Sequence, residues 1–238
     1  LAPRVLAGVH PPEQPGLERL VAVGHHGGAG HGEPEEVPHV GAAGPALAEG
    51  GVDVSREALP FLEGRTGTLA GCPVRIMRIG YSGELSFEIH TPQSYGAALW
   101  DSLFEAGRAF GLVPYGLEAS RILRLEKGHI IIGQDTDAVS TADELGMDWA
   151  LAMKKPFFIG KRSVELMRRL PQKRRLVGFE LQDAAAGRPD ESCLVVRDGE
   201  AVGHVTSTCF SPTLNKWIGL AFVPASLPDT DATLRIKA

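Results

Sequence analysis

The sequence predicts an α+β fold followed by a small β-barrel, because strand and helix patterns alternate through the middle of the chain and only strand patterns follow. Residues 74–79 show the period-2 alternation of a strand, and an extended, largely apolar run resumes at 85–89. Apolar side chains recur at helical spacing over 93–110 and 117–127, and Gly128 follows the second helix as a terminator. With 238 residues the chain can form one large or two small domains.

The remaining elements are predicted in order along the chain. We expect a buried strand at 129–132, an acidic turn after it, and a short helix at 161–169 with a solvated basic face. Asp198-Gly199 is a typical hairpin turn. Short strands that suit a small barrel are predicted at 177–181, 194–197, 202–208, 217–223 and 234–236.

Composition excludes several classes of protein. The formal net charge of −5 gives no basic surface for nucleic acid, so no nucleic-acid partner is expected. No apolar run is long enough to span a bilayer and no signal peptide is apparent, so we expect no membrane association. The chain has three widely spaced cysteines, which favours a reducing, cytoplasmic location over a disulfide framework or a zinc site.

The first 52 residues differ in composition from the rest of the chain. Residues 1–51 hold 11 of the 29 glycines and 7 of the 17 prolines, but no Phe, Tyr or Trp. Such a segment buries too little apolar area to offset its ordering entropy, so we expect 1–52 to be disordered or translated in the wrong frame.

The chain also looks truncated at both ends. We therefore predict an α+β domain at 53–170, which is partial, and a truncated barrel at 171–238.

Glu88 is the candidate functional residue that stands out in the strand 85–89. It is the one acid in an apolar run, at the end of a strand, turn and strand arrangement that includes Tyr81. An acid in this position either faces solvent or binds a ligand. A carboxylate offers two acceptor oxygens, so it can accept two parallel hydrogen bonds from a ligand that presents adjacent N–H groups.

Three blocks together resemble a known family: VRIMRIGYSGELSFE (74–88), YGLEASRILRLEKGHIIIGQDTD (115–137) and GHVTSTCFSPTLNKWIGLAFVP (203–224). The chain resembles the aminomethyltransferase superfamily, the folate-dependent fold of the glycine-cleavage T-protein, and is most similar to the C-terminal folate-binding part of the sarcosine oxidase alpha subunit. The stretches that look most like the sarcosine oxidase alpha subunit are DVSREALPF (53–61), LRLEKG (123–128), IIIGQDTD (130–137) and DWALAMKKPFFIGKRS (148–163).

The resemblance implies a folate site in this chain. Glu88 matches the glutamate that binds the ring N–H and amino group of the pterin, Tyr81 is a candidate for stacking on the pterin or for packing, and Arg121 is a further candidate ligand. The T-protein has arginine where this chain has Ser120, and Arg121 points about 100° away on a helix. This departure favours the oxidase branch. The family's catalytic aspartate lies upstream of the matched region, so no catalytic residue is assigned.

The implied function is one-carbon transfer from sarcosine or a similar N-methyl amine to tetrahydrofolate, with release of glycine. FAD or FMN and NAD would lie on missing upstream domains or on the flavin-bearing subunits of a hetero-oligomer. We expect the isolated chain to be inactive. The alternatives are an aminomethyltransferase of glycine cleavage, a folate-binding protein without enzyme activity, and an inactive fragment of the family.

Other polar residues have simpler interpretations. Asp135 and Asp137 are spaced for a metal, but acids in such turns are more often structural, and no metal site is predicted. Thr141 with Glu144 is typical of an N-terminal capping pair. Lys154 and Lys155 either meet the glutamate tail of folate or form a solvated pair.

Overall fold

The computed structural model describes residues 6–8, 17–22, 52–82, 85–182, 188–227 and 232–237. These residues form two compact units that divide between Arg124 and Leu125. We call residues 52–124 the sheet unit, and the strands before residue 31 together with 125–237 the barrel unit. The domain boundary expected near residue 170 stays a prediction. Within the described residues no helix is both long and apolar enough to cross a membrane.

The sheet unit is built on three antiparallel strands in the order β3–β4–β5. Their bounds are β3 Gly64–Leu69, β4 Cys72–Met77 and β5 Glu88–His90. Ala70 and Gly71 join β3 to β4 with φ angles of 49° and 79°, which is the conformation that a tight two-residue hairpin requires.

Helix α1, Gly96–Gly107, belongs to the sheet unit, and helix α2, Leu117–Lys127, spans the division between the two units. Two 3₁₀ turns flank α1, at Gln93–Tyr95 and Arg108–Phe110. Leu99 and Leu103 of α1 belong to the same apolar cluster as the inward-facing side chains of β4. The buried members of this cluster are Val52, Val54, Leu59, Leu69, Cys72, Val74, Ile76 and Leu99. The opposite face of the sheet, which carries Arg75 and Glu88, is exposed.

The barrel unit is a closed barrel of seven strands. Five strands come from the C-terminal part of the chain, and β1 and β2 come from its beginning. The strand order is β1–β2–β10–β7–β8–β9–β6, with a further pairing of β2 with β6. The bounds are β1 Leu6–Gly8, β2 Leu17–Ala22, β6 Arg174–Leu181, β7 Leu194–Arg197, β8 Glu200–Ser211, β9 Lys216–Pro224 and β10 Ala232–Lys237; the short helix α3 is Lys161–Met167.

Strand β9 is apolar on both faces because both faces are covered, and the apolar side chains of β6 pack on the same two sides. One set of alternating side chains, which includes Val177, Phe179 and Val223, joins the main barrel cluster. The other set, which includes Leu220 and Phe222, belongs to a second cluster that contains Leu125, at the end of α2, and residues of the loop after it, all within the barrel unit. This arrangement explains the uninterrupted apolar sequence of β9.

Two sequence predictions are corrected by the structure. The nine residues of β1 and β2 are strands, although they lie in the segment 1–52 that was expected to be disordered or translated in the wrong frame. The rest of 1–51 lies outside the described residues, and the expectation for it stays a prediction. The buried strand expected at 129–132 is wrong. Gly133 has a φ of 88°, the N–H of Asp135 donates to the Ile131 carbonyl at 2.9 Å, and the Ile132 side chain is 77% exposed. Those residues form a turn.

The loop after this turn is fastened by charges and a capping pair. The Thr141 N–H donates to Glu144 at 3.0 Å, and the Glu144 N–H donates to the Thr141 hydroxyl at 3.2 Å, which is the expected reciprocal capping. The Ser140 hydroxyl donates to Asp137 at 2.7 Å, and the Arg174 guanidinium lies 3.2 Å from the same carboxylate. Asp137 and Glu144 therefore act in fastening the loop to β6.

The hydrogen bonds to Asp137 predict a loss of stability in acid. The hydrogen bond from Ser140, together with those from Val139 and Arg174, lowers the pKa of Asp137 from 3.8 to about 2. A carboxylate with a depressed folded-state pKa stabilises the fold above its unfolded pKa and ceases to do so as the pH falls through the folded value. We expect the difference in unfolding free energy between the wild-type protein and Asp137→Asn to be constant above about pH 5 and to shrink between about pH 4 and pH 2.

Urea unfolding at several pH values measures this difference. Asp101→Asn, on the exposed surface of α1, is the matched control for removal of one carboxylate. A difference for Asp137→Asn that is the same at pH 6 and pH 2.5 would contradict the assignment.

Candidate functional site

Glu88 begins β5, on the face of the sheet that α1 does not cover. It pairs with Met77 of β4, and its side chain is 53% exposed. The alternation of β5 places Ile89 against the apolar cluster and turns Glu88 and His90 outward. The carboxylate is therefore accessible to a ligand on this face.

His90 is the immediate neighbour of the Glu88 carboxylate. Its Nε2 lies 3.2 Å from Oε2 of Glu88, and because a carboxylate only accepts, the imidazole donates. Arg75 pairs directly with His90 across β4 and β5, so the same face carries a guanidinium next to the imidazole. The sequence analysis missed both residues, although the period of two that exposes Glu88 also predicts that they share its face.

Tyr81 lies in the segment that connects β4 with β5, and its side chain is 42% exposed. The start of this connection is held by Arg78, which is 4% exposed. The Arg78 N–H donates to the Glu63 carbonyl, and the Leu62 N–H donates to the Arg78 carbonyl, each at 3.0 Å. Glu88 and Tyr81 thus belong to one hairpin. Gly83 and Glu84 lie outside the described residues.

Arg121 lies on α2, and its guanidinium is 3.4 Å from the carboxylate of Glu118, one turn earlier. Both side chains are largely exposed, as in an ordinary surface ion pair of a helix. Ser120 is half-buried on a different face of the helix. The role of Arg121 as a folate ligand stays a prediction.

In the described part of the chain, the acidic residues of the loop after α2 have structural roles. Asp135 is fully buried and accepts hydrogen bonds from the hydroxyls of Thr206 and Ser207 and from the Ile131 N–H. No group of three or more His, Cys, Asp or Glu side chains among the described residues is arranged to hold a metal ion.

Among the residues that the structure describes, the geometry does not identify a catalytic acid. Asp53, the first acid of the sheet unit, accepts a hydrogen bond from the Ser55 N–H at 2.9 Å. This hydrogen bond, with a second from the Ser55 side chain, lowers the pKa of the Asp53 carboxyl. Asp53 therefore stabilises a local turn, and the catalytic residue remains unassigned.

The Glu88 carboxylate can bind a ligand that presents two adjacent hydrogen-bond donors. Its Oε2 accepts from His90 at 3.2 Å and retains a second lone pair, and Oε1 is the second acceptor of a bidentate pair. Two N–H groups presented side by side, as on a pterin ring, match this carboxylate. The residues present therefore fit the pterin of tetrahydrofolate.

Two family models match the chain. The GCVT N-terminal domain matches residues 45–155, and the glycine cleavage T-protein C-terminal barrel domain matches residues 174–238. Together they cover well over half of the sequence, and their order is that of the α+β and barrel regions predicted from the sequence.

Curated relatives are of two kinds. An aminomethyltransferase from Halothermothrix orenii is 39% identical over 170 residues, which are 71% of this chain and 47% of the relative. A sarcosine oxidase subunit alpha from Corynebacterium sp. is 38% identical over 182 residues, which are 73% of this chain and 19% of the relative. The match thus spans about half of the aminomethyltransferase and about a fifth of the oxidase subunit.

A solved structure is also similar. The glycine cleavage system aminomethyltransferase T from Bartonella henselae superimposes with a TM-score of 0.66 at 25% sequence identity. The superposition covers 81% of this chain and 55% of that protein.

Proposed function

Because the chain belongs to the glycine-cleavage T-protein family, we propose that it is the folate-binding, one-carbon-transfer part of a sarcosine oxidase alpha-like protein. The observation that carries this proposal is the accessible carboxylate of Glu88, held by His90 at 3.2 Å on the open face of the sheet. An acid in this setting binds the pterin of tetrahydrofolate through two parallel hydrogen bonds.

Glu88 contributes positioning rather than proton transfer. Tetrahydrofolate, when bound, supplies the nitrogen N5 that accepts the one-carbon unit. Glu88 would hold the pterin in one orientation, and a flavin on another domain or subunit would supply the oxidation of the N-methyl amine. Such positioning converts an encounter into a reaction within one complex. Glycine is released when sarcosine is the donor.

The partners of this reaction are part of the proposal. The sarcosine oxidase relatives are described as alpha subunits, which supports partner subunits for this chain. That these subunits bear flavin is part of the proposal. FAD or FMN and NAD would bind on those subunits or on upstream domains. The proposal also includes that the isolated chain lacks amine oxidation activity, since it contributes only the folate-binding part.

A second candidate is an aminomethyltransferase of glycine cleavage. The similarity to the aminomethyltransferases of Halothermothrix orenii and Bartonella henselae favours it. Ser120, in place of the family's arginine, favours the oxidase branch. The two functions differ in the one-carbon donor. Formation of methylenetetrahydrofolate from sarcosine with the flavin-bearing subunits supports the first, and formation from an aminomethylated lipoyl protein supports the second.

Glu88→Gln tests the pterin site directly. The change keeps the size of the side chain but removes the charge and one acceptor, so we expect tetrahydrofolate binding to weaken by about 1–3 kcal/mol. Anaerobic titration calorimetry measures the affinity. Glu105→Gln on α1, which removes the same charge from an exposed ion pair, is the control and should leave affinity unchanged. Equal affinities for the wild-type protein and Glu88→Gln would remove Glu88 from the site.

A further inference from the structure

The side chain of Glu88 stands on an exposed face of the sheet, where it has to be ordered before it can bind a ligand. It is 53% exposed, and a glutamate has several rotatable bonds. Fixing a long side chain at the moment when a ligand arrives costs conformational entropy, and this cost lowers the affinity. A neighbour that holds the carboxylate beforehand therefore raises the affinity without touching the ligand.

His90 is placed to hold this carboxylate in the free protein. Its Nε2 lies 3.2 Å from Oε2 of Glu88. The two residues are two positions apart on β5, so both side chains stand on the same face. Since a carboxylate only accepts, Nε2 carries the proton and donates it. This contact leaves Oε1 and one lone pair of Oε2 for two adjacent donors of a ligand.

The position of His90 is itself fixed by strand pairing. His90 lies opposite Arg75 of β4, and Arg75 lies opposite Thr66 of β3. Side chains in such a row are about 5 Å apart and limit one another's rotamers. Directly after His90, the Thr91 hydroxyl donates to the Pro73 carbonyl at 2.9 Å, which fastens the end of β5 to β4. The imidazole therefore starts from a fixed backbone when it contacts Glu88.

We propose that His90 is a positioning residue for folate binding, which orders the Glu88 carboxylate for the pterin through the hydrogen bond from Nε2. The inference rests on the proposed function, in which Glu88 binds the pterin. The imidazole suits this role because a rigid ring loses little rotamer freedom when it donates. Its side chain is 57% exposed, so loss of the donor leaves the apolar core intact and should change binding rather than stability.

Two substitutions at His90 separate the donor from the ring. His90→Phe keeps a ring but removes the donor, and we expect it to weaken tetrahydrofolate binding about three- to tenfold, which is the cost of ordering one long side chain. His90→Gln restores an N–H donor and should bind within about twofold of the wild-type protein. Anaerobic titration calorimetry measures the affinities, and the urea unfolding midpoints of both variants should match that of the wild-type protein.

A double-mutant cycle with Glu88→Ala shows whether His90 acts through Glu88. Without a carboxylate to hold, His90→Phe should change the affinity by less than about twofold in the Glu88→Ala background. A direct contact between the ring and the ligand would appear in both backgrounds. His204→Phe in β8 is the control for loss of one imidazole, since it keeps a ring beside Phe222, and it should leave the affinity within about twofold of the wild-type value.

The outcomes separate this inference from the proposed function. The role of His90 is overturned if His90→Phe binds tetrahydrofolate as the wild-type protein does, or if it loses as much affinity in the Glu88→Ala background as in the wild-type background. In either case a loss of affinity in Glu88→Ala alone leaves the proposed function standing. Unchanged affinity in Glu88→Ala would remove Glu88 from the site, and the role of His90 would fall with it.

Discussion

Replacing Asp135 by alanine is expected to lower the free energy of unfolding by about 3–4 kcal/mol, since the change removes several hydrogen bonds to a buried charge. Asp135 is fully buried in the barrel unit. Its carboxylate accepts from the Thr206 hydroxyl at 2.5 Å and from the Ile131 N–H at 2.9 Å, and Ser207 donates to the same group. One side chain thus fastens the turn after α2 to strand β8.

Asp135→Asn separates loss of the contact from loss of the charge. Its oxygen still accepts from the Ile131 N–H, and its amide group can face hydroxyls that rotate to accept. The Thr206 hydroxyl also has a second acceptor, the Leu220 carbonyl at 3.2 Å. We therefore expect Asn to cost about half as much as Ala.

Chemical denaturation with a constant denaturant slope measures both Asp135 variants. Asp101→Ala in α1 is the control, and it should change stability by less than about 0.5 kcal/mol. Equal stabilities of Asp135→Ala and the wild-type protein would show that the buried hydrogen bonds contribute nothing net.

The sequence predicted elements well where local signals agree with their surroundings. The helix expected at 117–127 has those bounds as α2, because Gly128 adopts a φ of 81° and ends it. The strands of the C-terminal part were found because alternating or continuous apolar runs meet turn residues such as Asp198-Gly199. The prediction of an α+β region followed by a barrel is confirmed.

Pairing between distant segments could not be predicted in this way. Strand β2 lies beside β10, with Leu20 opposite Leu234, and no local pattern records a partner so far along the chain. The composition of the segment around β2 also argued against any strand there. The turn at 131–135 was mistaken for a strand because three isoleucines resemble a buried strand, whereas the buried Asp135 carboxylate holds the backbone in a turn.

The candidate site was predicted only in part for a related reason. Glu88 and Tyr81 were proposed from a motif that is continuous in sequence, and their role in binding stays a prediction. Arg75 and Thr66 are neighbours of His90 only through strand register, which depends on the hairpin turn between β3 and β4 and on the connection to β5. The period of two gives the face of a strand but not its neighbours.

Gly219→Ala is expected to destabilise the barrel by about 3 kcal/mol, at the upper end of the range for overpacked cores. Gly219 lies in β9 between Phe179 of β6 and Thr208 of β8. A Cβ atom at this position would overlap the ring of Phe179 and the backbone oxygen of Ser207. The ring is 2% exposed and packed in the barrel core, so neither neighbour can withdraw without breaking other contacts.

Gly96→Ala is the matched control for the same change in chemistry. A Cβ atom at Gly96 meets nothing within 4 Å, so alanine at the start of α1 should cause no loss of stability. A double-mutant cycle with Phe179→Leu identifies the cause of the effect at Gly219. If the ring is one of the obstacles, the double variant loses less stability than the sum of the single variants, by at least about 0.5 kcal/mol. Strict additivity would place the whole effect on the Ser207 backbone, and a Gly219→Ala protein as stable as the wild type would contradict the close packing of β6 against β9.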